Sequence, residues 1–201
     1  MVRTIDQEAR RREIVDAVWR ILERGGLEDA SVRKVAAEAG LATGSVRHFF
    51  GTQAELHAFA LRSLSERVGE RVRRAAAEPD VRTRVVAMLT ELMPLRDDTT
   101  RELRIWLEFV HRSRFDENLA AIVAEQAAEV RRFLTHVVTG LGELGHLCPT
   151  ADHDEVAAGL NAFVDGLTFE LLTAPALLTR ERAFALLESF VFGHHMRNAA
   201  E

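Results

Sequence analysis

The sequence predicts an all-α protein: a three-helix helix-turn-helix head joined by a long fourth helix to a larger helical body, about nine helices in all. Three observations carry this prediction. Apolar residues recur at helical spacing along nearly the whole chain, and no strand is needed anywhere. Ser, Thr or Asp stands where helices should start, and Gly or Pro where they should stop. Finally, 201 residues with 47% hydrophobic and 28% charged side chains lie in the globular range, enough for one large domain or two small ones.

Thr4 is placed to cap a first helix over about 5–24, whose Ile14, Ala17, Val18, Ile21 and Leu22 form one apolar stripe ending at Gly25 and Gly26. Ser31 caps a short second helix, Val32 to Ala39, and Gly40 stops it as a residue of positive φ does. Two or three residues later a third helix runs from Thr43 to Phe49. Thr52 and Glu55 have the spacing of a capping box at the start of a long fourth helix, which keeps its stripe until Glu78 and Pro79. Further helices are expected at about 81–93, 99–114, 116–140, 152–173 and 180–195. Breaks fall at Pro94, at a kink near Phe115, in the segment 142–150 and at Pro175, and two more capping boxes at Thr99 with Glu102 and Asp152 with Glu155. The functional division expected is 1–50 for the head and 51–201 for the body.

The formal charge of −5 argues against a general polyanion binder, but it is unevenly distributed. Residues 1–50 hold nine basic and eight acidic side chains, residues 51–201 hold 17 and 23, so a nucleic-acid surface belongs in the first quarter, as a patch. Cys148 is the only cysteine, which excludes an internal disulfide framework and makes the cytosol the default compartment. No signal peptide or membrane span is expected, because Arg or Glu interrupts the long apolar stretches.

Two short helices joined at Gly40-Leu41-Ala42 and braced by a preceding one have the dimensions of a helix-turn-helix. The second would enter a major groove of double-stranded DNA, showing Thr43, Ser45, Arg47 and His48, while Val46, Phe49 and Phe50 hold it on the head. Ala42, Thr43 and Gly44 are small enough to let the helix approach the duplex closely. Arg47 and His48 suit backbone phosphate; Thr43 and Ser45 suit base edges or thymine methyls; Arg33 is placed to reach guanine. Thr52 and Gln53, at the start of the fourth helix, are candidates for a further phosphate contact. The bland alternative is that Arg33, Arg47 and His48 are ordinary solvent-facing residues.

The run Ser31-Val-Arg-Lys-Val-Ala-Ala-Glu-Ala-Gly-Leu-Ala-Thr-Gly-Ser-Val-Arg-His-Phe-Phe-Gly-Thr-Gln-Ala-Glu-Leu56 resembles the DNA-binding head of TetR-type transcriptional regulators, with the match covering residues 10–60. Phe163 to Pro175 followed by Thr179 to Leu187 is similar to the C-terminal part of the choline-responsive repressor branch. The resemblance implies a homodimer on a palindromic operator that usually represses and lets go when a small molecule occupies the body. The sequence departs from the family pattern at Arg47, most often Tyr, at Phe49, often His, and at Gln53, usually Lys.

In the body, Trp106, Phe109, Met88 and Phe133 are the candidates to line an effector pocket, with plain core packing as the rival role. Glu108 and His111 lie beside them and could set ligand polarity. Leu160, Phe163, Leu167 and Leu171 on the eighth helix, with Phe184, Leu187, Phe190 and Val191 on the ninth, exceed what a peripheral helix pair needs; packed against symmetry mates they would form a four-helix dimer interface. Gly159 and Gly166 would ease close helix crossing. His146, Cys148 and His153, and the adjacent His194 and His195, lack the spacing of a metal clamp, so no metal or cofactor is expected. Nor does any acid, base and nucleophile cluster point to an enzyme. The alternatives to a ligand-released repressor are a regulator that binds DNA constitutively or under a protein partner, and, further off, a helical enzyme or adaptor.

Overall fold

A computed structural model describes residues 2–193. Among these the helices are α1 (Val2–Gly25), α2 (Val32–Glu38), α3 (Thr43–Phe49), α4 (Gln53–Ala75), α5 (Val81–Thr90), α6 (Asp97–Ser113), α7 (Glu117–Glu143), α8 (His153–Thr173) and α9 (Arg180–Phe192), with a short 3-10 turn at Leu27–Asp29. The described residues are all helix and connection, as the sequence predicts. They pack as two compact units, the first comprising the chain up to Arg67 with Arg104–Ala124, the second Val68–Leu103 with the chain from Glu125 on. Packing therefore divides the chain within α4, α6 and α7, whereas the division expected at residue 50 is one of function.

The caps explain most of the boundaries. Ser31 accepts from the Lys34 amide at 3.3 Å, Asp80 from Thr83 at 2.8 Å, Asp152 from Asp154 and Glu155, and Thr179 from Arg182 at 3.2 Å. Gly40 (φ 66°) ends α2: its amide and that of Leu41 close back on Ala37 and Ala36, a Schellman arrangement that satisfies carbonyls the helix leaves open.

Four boundaries differ from the expectation. α1 begins at Val2, ahead of Thr4, which stands within the helix. The turn at Leu27–Asp29 is too short to leave a periodic signal. α5 stops at Thr90 and tightens into three-residue turns up to Met93, because the residue before Pro94 is pushed out of helical conformation. α6 starts at Asp97, not at Thr99. Thr99 exchanges hydrogen bonds with the Arg96 backbone at 3.1 Å, and Glu102 is taken up by Arg71. Phe115 sits in a break between α6 and α7, and α9 reaches Phe192; His194 and His195 lie outside the described residues.

In the first unit, Ile14, Ala17, Val18 and Leu22 of α1 are buried with Val35, Ala36, Val46, Phe50, Leu56, Ala60 and Leu61. Trp19 Nε1 donates to Ser63 at 2.9 Å and Ser63 in turn to the Ala60 carbonyl, fastening α1 to α4. The core of the second unit is built from Val85, Leu89, Met93, Leu134, Val138, Leu141, Leu160, Val164, Leu187 and Val191. Arg71 of α4 donates to both Glu102 oxygens, at 3.2 and 2.6 Å, and to Glu91 at 2.8 Å, a nearly dry ion network that Arg96 extends through Glu91.

Candidate nucleic-acid interface

Val46 decides how α3 sits. It is fully buried, Phe50 after it is 4% exposed, and helical periodicity then turns Ser45, Arg47 and His48 outward on the opposite side. Gly44 faces out as well, while Thr43 is half-buried. Arg33 on α2 is exposed, as are Thr52 and Gln53 at the start of α4. The Thr52 hydroxyl accepts from the Glu55 amide at 3.1 Å, and Glu55 accepts from Gly51 at 2.8 Å, so the expected capping box forms with its return bond one residue early. A methyl group added at Gly44 would meet nothing within 4 Å, so no packing inside the protein calls for a glycine there.

Ion pairing sorts the basic residues. Lys34 is bonded to Asp29 at 2.6 Å; Arg20 and Arg24 both close on Glu38. Among the described residues Arg33, Arg47 and His48 have no ion-pair partner. Though the head is close to neutral in sum, Arg33 on α2 and Arg47 on α3 therefore present cations whose charge is not already compensated, and these are the groups able to displace counterions from a phosphate backbone. His48 stands edge-on to Phe49 at 5.6 Å.

The connection between α1 and α2, which aims the helix-turn-helix, is held by side chains from two other helices. Glu108 of α6 accepts from the Leu27 amide at 2.7 Å, and Arg112, one turn on, donates to Glu28 at 3.1 Å. His57 of α4 has Nε2 3.1 Å from the Ala30 carbonyl and 3.5 Å from Gln53 Nε2, with its ring edge-on to Phe109. Burial holds the His57 imidazole below its usual titration range. Sequence reading passed over these contacts, although a Gly-Gly pair before an apolar residue does signal a chain reversal there. Glu108 and His111 also line an open groove of about 650 Å³, with Leu27, Arg104, Leu107 and Phe115.

The four residues expected to line an effector pocket are distributed over both units. Phe109 is fully buried and Trp106 partly buried in the first; Met88 and Phe133 are partly buried against the core of the second. Of the eight proposed for a dimer surface, Leu160, Leu187 and Val191 are at most 1% exposed and, with Leu167 and Leu171, supply the protomer's own core rather than an outward face. Phe163 and Phe190 stack at 4.1 Å and are half-buried. Phe184 does point outward, 42% exposed, as does Phe169 at 61%, which the sequence reading left out. On α8 the outward residues include Gly159, Ala162, Gly166 and Phe169, with open space around both glycines. With one apolar side in the core and another outside, α8 is long and apolar enough, by length and composition, to cross a membrane, although Asp165 and Glu170 interrupt it as expected; Leu160, Val164, Leu167 and Leu171 pack within the bundle.

Comparison with known proteins agrees with this geometry. Residues 14–58 match the family described as "Bacterial regulatory proteins, tetR family", and residues 79–194 match "BetI-type transcriptional repressor, C-terminal". The chain belongs to the TetR family. A curated relative, the HTH-type transcriptional regulator PksA of Bacillus subtilis, is 33% identical over 183 residues, covering 90% of this chain and 88% of its own. A crystal structure of a transcriptional regulator from Rhodococcus sp. Rha1 superposes with a TM-score of 0.74 at 31% identity, over 90% of this chain and 92% of that one. A regulator from Saccharomonospora viridis, crystallised in complex with choline, shares the fold at a TM-score of 0.78 and 20% identity, over 92% and 96% of the two chains. As a TetR-family protein the chain is a DNA-binding regulator of transcription, and the tight turn at Gly40 is the turn of its helix-turn-helix.

Proposed function

We propose that this TetR-family regulator acts as a homodimeric repressor that occupies a palindromic operator and is released when a small molecule binds its helical body. The observation that carries the reading is Arg47, its charge without an ion-pair partner among the described residues, beside His48 on the exposed side of a helix anchored by a fully buried Val46. Arg47 and His48 bind phosphate on either side of the groove, Ser45 and Gly44 approach the base edges, and Arg33 reads guanine from α2. Two such heads fit successive major grooves when their α3 helices stand roughly 34–36 Å apart. The outward face of α8 and α9, with Phe169 and Phe184, packs against its symmetry mate.

Release requires an effector that binds one body shape better than the other, since equal affinity shifts no population. The BetI-type match over residues 79–194 and the choline-bound relative of the same fold make small quaternary ammonium compounds the first effector class to test. The role involves no chemical turnover.

Selection of bound DNA from a random pool by the purified protein, followed by footprinting, tests the reading. A palindromic consensus with salt-sensitive protection is expected; binding without sequence preference would refute it. Arg47→Ala should weaken binding alike on all operator variants and lower the salt slope by about one ion. Arg24→Ala, whose partner is Glu38, should leave that slope unchanged. Titrating choline into the complex then tests release, and unchanged affinity would reject that effector.

A further inference from the structure

We infer that Glu108 is a positioning residue for DNA binding: from α6 its carboxylate sets the α1–α2 connection, and through it the angle at which α2 and α3 meet the duplex. The inference rests on the DNA-binding assignment of the family and not on the proposal of ligand release.

Leu27 carries the first amide after Gly26, and that amide opens the short turn leading into α2. Its hydrogen-bond acceptor is Glu108 Oε2, 2.7 Å away and 81 residues distant in sequence. A carboxylate accepting from a backbone amide makes a stronger bond than a neutral acceptor does. Gly26 lets it come close in two ways. Its φ of 70° is one that L side chains rarely adopt, and a Cβ there would stand 2.9 and 3.0 Å from the two carboxylate oxygens. Arg112 adds a second rung on the same face of α6 by bonding Glu28, but that pair is solvent-exposed and contributes little. Two residues further on, the Ala30 carbonyl is met by His57, and Ser31 begins α2 as its cap.

The segment from Gly26 to Ser31 is thus pinned at Leu27 by α6 and at Ala30 by α4, and the only slack between the pins is one short turn. Shifting α6 along its axis or rotating it must either break the bond from the Leu27 amide or carry the connection, and with it α2, along. Glu108 itself lies on α6 and not on α2 or α3, so its effect on DNA is one of preorganisation: a head that samples other angles binds with affinity reduced by the fraction of time it is correctly aimed.

The test uses the full-length protein and DNA selected by the wild-type chain. Glu108→Ala should weaken binding by about fivefold or more, leave the salt slope unchanged because no phosphate contact is lost, and raise hydrogen exchange at the Leu27 amide. Glu108→Gln, which keeps an oxygen acceptor in place, should recover most of the affinity. Gly26→Ala, which crowds the same carboxylate and strains the backbone at φ 70°, should weaken binding too, and combined with Glu108→Ala, which relieves the crowding but not the strain, it should lose less than the sum of the two single losses. Circular dichroism on each variant separates this from unfolding, and if the Ala variant does not fold, Gly26→Ala serves: wild-type affinity in that variant despite faster exchange at the Leu27 amide overturns the inference. Wild-type affinity in Glu108→Ala despite faster exchange at Leu27 overturns the inference, as does equal loss in the Ala and Gln variants. Failure of the wild-type chain to select any DNA overturns the DNA-binding assignment and this inference with it.

Discussion

Gly40 and Gly44 form a matched pair that separates what the fold needs from what a partner needs. Both are exposed, and at both an added Cβ meets nothing within 4 Å. They differ in backbone: Gly40 has φ 66°, whereas Gly44 lies inside α3 with no positive φ. Alanine at position 40 incurs the left-handed penalty of roughly 1–2 kcal/mol, partly offset by about 0.4–1 kcal/mol from a stiffer unfolded chain, for a net loss of about 1 kcal/mol. Alanine at position 44 gains helix propensity, up to about 1 kcal/mol in a helix interior and less in a first turn. For a chain of this size 1 kcal/mol moves the melting temperature by roughly 2–4 °C. Gly40→Ala should therefore melt a few degrees lower and Gly44→Ala at or slightly above the wild type, measured at one fixed protein concentration because dimerisation is linked to stability. DNA affinity should fall in Gly44→Ala, where the new methyl group meets the duplex, despite its undiminished stability. Equal melting shifts for the two variants would refute the backbone argument. Unchanged DNA affinity in Gly44→Ala would refute close approach at that position.

Three further outcomes follow from the packing. His57 has its folded-state pKa pushed down by burial, so the unfolded chain holds more protons; its contribution to stability is complete above about pH 6.5 and is lost as pH falls from there toward the depressed value. Arg112, Glu28 and Asp116 are the charges that act on it. His57→Gln should lose this part of the acid sensitivity, seen as a smaller drop in melting temperature between about pH 7.5 and about pH 5.5, and an unaltered drop would reject the assignment. Phe169→Glu should give a folded monomer in sedimentation, whereas Leu160→Ala should cost about 2–5 kcal/mol in denaturant unfolding; the reverse pattern would exchange core and interface. Arg71→Met removes the bidentate partner of Glu102, which is 4% exposed, and should destabilise by about 3 kcal/mol, with Glu102→Met added in the same chain restoring much of the loss. No recovery in the double variant would show that the ion pair is not the cause.

The head was legible because its signals are local. Ser31, Gly40 and the spacing of Val35, Ala36, Val46 and Phe50 fix two short helices and their buried sides, and burial of Val46 leaves Arg47 and His48 outside by geometry alone. Lys34 shows the limit of that reasoning: it looks as available as Arg33, yet Asp29 takes its charge. On α8 and α9 the apolar excess was visible, but Leu160, Leu187 and Val191 could not be told from Phe169 and Phe184, since a helix apolar on two sides gives periodicity no way to rank them.

By itself the sequence determined the order of the helices, most of their starts and stops and where they carry apolar side chains, because caps, turns and periodicity act over about four residues. The tertiary structure alone decided which cations remain uncompensated, which apolar side turns inward, and that Glu108 closes on an amide 81 residues away. Those outcomes depend on which distant side chains arrive within about 3 Å of one another, and the chain encodes that only through the packing of the whole.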